Sequence, residues 1–129
     1  MKITIETIPH DQQRYSTVGN WIVEKDGTRH IFVSDMGNDD YAFLVGLHEM
    51  IEQRLCEKRK ITQKQVDDFD KKFEADRAKG KHGEDDEPGD DPKAPYRREH
   101  FFATNIEALT CDQLGVNWQK YEAAVYSLP

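Results

Sequence analysis

His48, Glu49 and Glu52 stand within one short segment, Leu44-Val45-Gly46-Leu47-His48-Glu49-Met50-Ile51-Glu52-Gln53-Arg54-Leu55. An imidazole and a carboxylate four positions apart project together from successive helical turns. At about 100° per residue, Leu44, Leu47, Ile51 and Leu55 form one apolar stripe. His48 falls inside that stripe and Glu52 at its margin. An ionisable carboxylate on an apolar arc is costly unless something neutralises it. A cation suits both side chains at once. A direct His–Glu hydrogen bond, or a Lys or Arg partner for Glu52, would also serve.

A second segment, Glu99-His100-Phe101-Phe102-Ala103-Thr104-Asn105-Ile106-Glu107, adds another imidazole and another carboxylate. Phe102, Ile106 and Leu109 mark its expected core stripe. His100 and Glu107, seven apart, share a different line of the helix, with the small residues Ala103 and Thr104 between them. Small residues let a neighbouring helix approach closely. If that face meets His48 and Glu52, two imidazoles and a carboxylate surround one point, a composition found in catalytic zinc and non-haem iron sites. The expected ligands are therefore His48, Glu52 and His100. The expected ion is one divalent transition metal, zinc first, with iron, manganese or nickel compatible. Seven residues rise roughly 10 Å along a helix. Glu107 is thus expected to orient an imidazole N–H rather than to share the ion, unless the helix is irregular. His10, His30 and His82 read as surface histidines.

The run His48-Glu49-Met50-Ile51-Glu52 resembles the H-E-x-x-H active-site helix of zincin-type metallopeptidases, with Glu in place of the second His. The layout from about Arg29 to Leu114 is similar to a minimal zincin: strands, an active helix, then a later helix giving the third ligand. The resemblance implies His48 as first ligand, Glu49 as the general base acting on water, Glu52 in the place of the second ligand and His100 as the third. A carboxylate for an imidazole makes the site harder and more negative.

The elements that must position these residues follow from pattern. Lys2 to Ile8 reads as a strand, with Ile3 and Ile5 on one face. Tyr15 to Glu24 and Arg29 to Ser34 read as two more, joined by the turn Lys25-Asp26-Gly27-Thr28. A helix over about 41–58 is capped by Asp39 or Asp40. A second starts at Thr62, where Thr62-x-x-Gln65 fits a capping box and Val66, Phe69 and Phe73 form the buried stripe. A third covers about 98–114, interrupted near Thr110 and ended by Gly115. A last short helix after Asn117 carries Trp118, Tyr121, Val125 and Leu128. The fold class is α+β: one domain over 1–129, a small antiparallel sheet of about three strands packed against three or four helices. Lys79 to Pro95 is rich in Gly, Pro, Asp and Glu and has little to bury, so it reads as an exposed loop. Its acids lack the ligand spacing of an EF-hand.

A net charge of -7 argues against a nucleic-acid or acidic-membrane partner. No apolar run approaches the roughly 18 residues that span a bilayer. The N-terminus reads as a strand rather than a signal peptide. The two cysteines, Cys56 and Cys111, are too few for a disulfide scaffold and fit no thiolate zinc spacing. Together these point to free thiols in a cytoplasmic protein. Three function classes stay open. One is a metal-dependent hydrolase acting on an amide or peptide bond with Glu49 as base. Another is a non-catalytic metalloprotein whose ion ties two helices together. The last is a metal-free interaction module using Trp21, Tyr41, Phe101, Phe102 and Trp118.

Overall fold

The computed structural model describes residues 1–129. Three strands, β1 (Ile3–Ile8), β2 (Gly19–Val23) and β3 (Arg29–Ser34), form one sheet in the order β1-β3-β2. Four helices follow: α1 (Asp39–Lys58), α2 (Gln63–Ala78), α3 (Arg97–Gln113) and α4 (Trp118–Tyr126). The architecture is α+β with a small sheet, as strands followed by helices imply.

β2 and β3 make the hairpin that Asp26-Gly27 demands. They pair antiparallel, with Val23 opposite Arg29, and the Thr28 N–H donates to Asp26 Oδ1 at 2.9 Å. β1 departs from the antiparallel sheet expected: it runs parallel to β3, with Ile3 opposite Arg29 and Ile8 opposite Ser34. The link from β1 to β2 contains a short 3-10 turn, His10–Gln12, and carries the chain past the end of β3 to its far edge. A tight hairpin cannot form across such a link, so β1 and β3 point the same way. The strand expected from Tyr15 starts only at Gly19, which leaves Tyr15 free to reach α2. β3 is central, and its Ile31 and Val33 are almost fully buried.

α1 packs on the sheet through Leu44 and Val45, with Cys56 buried one face further along. Its cap is Asn38, whose side chain accepts the Tyr41 N–H at 3.1 Å, rather than Asp39 or Asp40. Those two acids occupy the first turn instead, where the helix dipole favours them. α2 begins with the expected Thr62–Gln65 capping box and buries Val66 and Phe73. α3 runs unbroken through Thr110, whose hydroxyl bonds back to the Ile106 carbonyl at 2.8 Å. Asn117 caps α4, and Tyr121 is buried.

α3 faces the opposite way from its expected stripe. Phe102 and Leu109 are 49% and 67% exposed, whereas Glu99, His100, Ala103, Glu107 and Cys111 are buried. Its polar face is pressed onto α1. Of the aromatics considered for an interaction surface, Trp21 lies in the core, Tyr41 and Trp118 are half-buried, and Phe101 and Phe102 are exposed.

Most of the segment 79–95 is exposed, as expected, but it is held to the body of the fold at several points. The Arg77 guanidinium donates to the carbonyls of Gly83 and Asp86. His82, expected at the surface without a partner, stacks on Phe73 with ring centroids 3.8 Å apart. A 3-10 turn, Pro88–Asp90, buries Gly89, and Ala94 joins the core. His30 bonds Thr4 at 2.6 Å, and His10 bonds Ser34 and the Pro129 carbonyl, both at 2.8 Å. Cys56 and Cys111 are free and buried. No helix is long and apolar enough to cross a membrane.

Candidate metal centre

The antiparallel pair α1 and α3 is strapped by polar contacts at three levels. His48 Nδ1 meets Glu107 Oε1 at 2.7 Å. Glu52 Oε2 meets His100 Nδ1 at 3.1 Å. The Arg59 guanidinium meets the buried Glu99 at 2.6 Å. Ala103, fully buried between His100 and Glu107, has no side chain to hold the helices apart. The i, i+4 spacing of His48 and Glu52 does what it implies: His48 Nε2 lies 3.1 Å from Glu52 Oε2.

His48 Nε2, Glu52 Oε2 and His100 Nδ1 form a triangle with all three edges at 3.1 Å. Donors about 2.1 Å from an ion lie about 3.0 Å apart at right angles and about 3.4 Å apart at the tetrahedral angle. The observed edges fall between these limits. His48, Glu52 and His100 are therefore a buried grouping that could hold a metal ion.

The outer nitrogens fix what the inner ones present. Glu107 accepts from His48 Nδ1 through one oxygen, and from the Tyr121 hydroxyl at 2.6 Å through the other. Glu87 accepts from His100 Nε2 at 3.0 Å and from the Tyr126 hydroxyl at 3.2 Å. A carboxylate only accepts, so each outer nitrogen carries a hydrogen. In the neutral rings, lone pairs then remain on the two inner nitrogens, both turned toward the lone pairs of Glu52 Oε2. Three lone-pair donors meeting without a proton repel, and a cation resolves the conflict. Without a metal, protons do so. Burial opposes charge on His48, but its hydrogen bonds to Glu107 and Glu52 lift it well above the ordinary imidazole value. Burial likewise opposes charge on His100, yet Glu52 and Glu87 raise it to about 10. Burial would raise Glu52, but the two imidazoles hold it at about 2. Two imidazolium protons and one divalent ion supply the same charge, so protons and metal compete for this centre.

Glu49 lies beside the triad and makes no hydrogen bond or ion pair. Its side chain packs against Gly19, where a Cβ would stand 2.9 Å from Glu49 Cγ. Burial and the neighbouring Glu52 push its carboxyl up to about 8. His48, Glu49, Glu52 and His100 all line one cavity of about 570 Å³. Thr104, on the same face of α3 as His100 and Glu107, lines it too, and its hydroxyl is the one buried side-chain polar atom without a partner.

The structure thus brings His48, Glu52 and His100 together and places Glu107 behind His48, on its outer nitrogen. Sequence reasoning missed Glu87, Tyr121 and Tyr126. Glu87 sits in the segment read as exposed, brought in because Gly89 packs flat on the His100 ring, where a Cβ would collide with it. A Gly-Asp pair just after Glu87-Pro88 was the only local sign. Glu87 and Asp90 also flank His100 Nε2 as a second, partly exposed grouping of potential ligands. Comparison with protein-family models, curated proteins and solved structures gives no match for this chain.

Proposed function

We propose that the chain is a metal-dependent hydrolase of zincin-like type, with His48, Glu52 and His100 holding a divalent transition metal and Glu49 acting as general base. The observation that carries this reading is the 3.1 Å triangle of donors opening onto a cavity that also holds an unpaired carboxylate. Zinc suits two imidazoles and a carboxylate best, and iron, manganese and nickel accept the same donors. A bound ion would supply Lewis acidity, polarising a carbonyl and acidifying water.

The chain's own groups have separable tasks. Glu49, which lines the same cavity and has no hydrogen bond or ion pair of its own, is placed to take a proton from water and return it to a leaving amine. Glu107 and Glu87 hold the two imidazoles in the ligating tautomer, and Tyr121 and Tyr126 hold those carboxylates in turn. The carboxylate of Glu52 would weaken a bound ion's acidity relative to a three-histidine site and so place more of the work on Glu49.

A purely structural ion would favour four protein donors. Glu107 is already committed to the outer nitrogen of His48 and to Tyr121, so three donors face the cavity. This favours the catalytic reading over an ion that only ties α1 to α3. The test is hydrolysis of a fluorogenic peptide library by zinc-loaded protein beside Glu49→Gln. Glu49→Gln should bind zinc as the wild type does and lose cleavage by at least about a hundredfold. Cleavage that survives in Glu49→Gln would remove Glu49 from the mechanism.

A further inference from the structure

We propose that the cavity beside the triad takes a substrate bearing a positively charged amino or guanidino group, and that Asp70 holds that group. This rests on the reading above for the position of the reacting bond and adds what lies next to it. Eleven carboxylate residues line the cavity against a single arginine, Arg77, and no lysine. Arg77 is spent on Glu74 and on the carbonyls of Gly83 and Asp86. Arg14 is committed to Asp67 through two hydrogen bonds, at 3.0 and 3.1 Å. No lysine or arginine is left for the inner wall, and its two imidazoles, His48 and His100, are committed to Glu52, Glu107 and Glu87 rather than to Asp70.

Asp70 is the clearest case. It is 9% exposed and lines the cavity from α2. The Tyr96 hydroxyl donates to Oδ1 and the Tyr15 hydroxyl to Oδ2 at 3.1 Å. Both donors are neutral, and Asp70 forms no ion pair. Each oxygen keeps a lone pair free once its tyrosine is satisfied. A buried carboxylate held at both oxygens but paired with no cation is costly to ionise in the empty protein, and a cationic ligand would offset that cost. Burial, with Glu52 and Asp67 nearby, raises its carboxyl to about 7 despite the two hydroxyls, the sign of a negative charge that lacks its partner. Trp21, Val45 and Val66 give the same cavity an apolar side that suits the methylene stem of a basic side chain. If Asp70 served only to join Tyr15, Tyr96 and α2, it would remain protonated and would show no preference for charge.

The test compares L-argininamide with L-citrullinamide, both Nα-acetylated so that they are alike in shape and differ only in side-chain charge. Binding is followed by calorimetry to wild type and Asp70→Asn, each with and without zinc. The charged amide should bind wild type at least about tenfold tighter, the size of one charge-assisted hydrogen bond. The preference should shrink to within about twofold in Asp70→Asn, whose zinc affinity stays unchanged. In carbon-13-labelled wild type, the Asp70 carboxyl signal should move with argininamide and not with citrullinamide, which needs no variant. Equal binding of the two amides, no binding of either, a preference that survives in folded Asp70→Asn, or an unmoved Asp70 signal would each overturn the inference. Preference for argininamide in a protein that takes up no zinc would support it while removing the metal reading. Zinc uptake without preference would sink it alone.

Discussion

Zinc affinity should depend steeply on pH, and the steepness follows from the carboxylates around the two imidazoles, Glu52 between them and Glu107 and Glu87 outside. Before an ion can bind, His48 Nε2 and His100 Nδ1 must each give up a hydrogen. Two imidazoles of ordinary pKa would already be about three-quarters neutral near pH 7 and would release about half a proton between them. Here His100 is raised to about 10, and His48 also lies well above the ordinary value. Both therefore start protonated, and binding expels close to two protons. Affinity should then rise about a hundredfold per pH unit from roughly pH 6.5 to 7.5, against about threefold for an ordinary pair. His100→Ala removes one ligand and one of the two protons. It should bind zinc weakly, with a dependence of about tenfold per unit. Competition with a fluorescent zinc chelator across that range gives the slopes. Calorimetry in two buffers of different ionisation enthalpy counts the protons directly. A wild-type slope near the ordinary value, or the same slope in His100→Ala, would refute the claim that the surrounding carboxylates hold both imidazoles protonated in the metal-free protein.

The remaining expectations concern the groups around the triad. Glu87→Gln leaves His100 Nε2 without its carboxylate and should lower zinc affinity by about ten- to a hundredfold; an unchanged affinity in the chelator assay would make the contact incidental. Thr104→Val removes a buried hydroxyl with no partner, so the metal-free protein should gain about 1 kcal/mol, or about 4 °C in Tm. A fall in Tm would mean that the hydroxyl has a structural partner. Asp70 titrates at about 7 in the folded chain and at its ordinary value of 3.8 when unfolded. Between those values the folded state holds a proton that the unfolded state has lost, so stability falls as pH rises across the window. Asp70→Asn should remove that component, and its Tm advantage in metal-free protein should widen from about pH 4 to about pH 7. An advantage constant across the window would place the proton elsewhere.

Local signals were legible wherever one residue decides the geometry. Asp26-Gly27 specified the β2–β3 hairpin, Thr62-x-x-Gln65 specified the start of α2, and Asn117 specified that of α4. The four-residue step from His48 to Glu52 fixed one edge of the triangle in the same way. The direction of β1 was not legible, because parallel pairing with β3 depends on where the connecting chain goes rather than on the strand's own residues. The orientation of α3 went wrong for a physical reason. Its hydropathy favours burying Phe102 and Leu109, and the opposite face wins because His100, Glu107 and Glu99 find charged partners on α1. Glu87 was invisible because an acidic stretch normally dissolves into solvent. Only contacts made at a distance, Arg77 on two carbonyls and His82 on Phe73, fold it back over His100.

The inverted placement of α3 has a consequence for the state without metal. With Phe101, Phe102 and Leu109 turned outward, the helix is held against its own hydropathy. A roll about its axis would put the phenylalanines onto α1 and the imidazoles into water, a competing arrangement that apolar burial alone would prefer. The charged straps select between the two, and an ion bound at their centre would weight that choice further. Stripping it away would shift the balance between two packings of one helix rather than merely soften one of them.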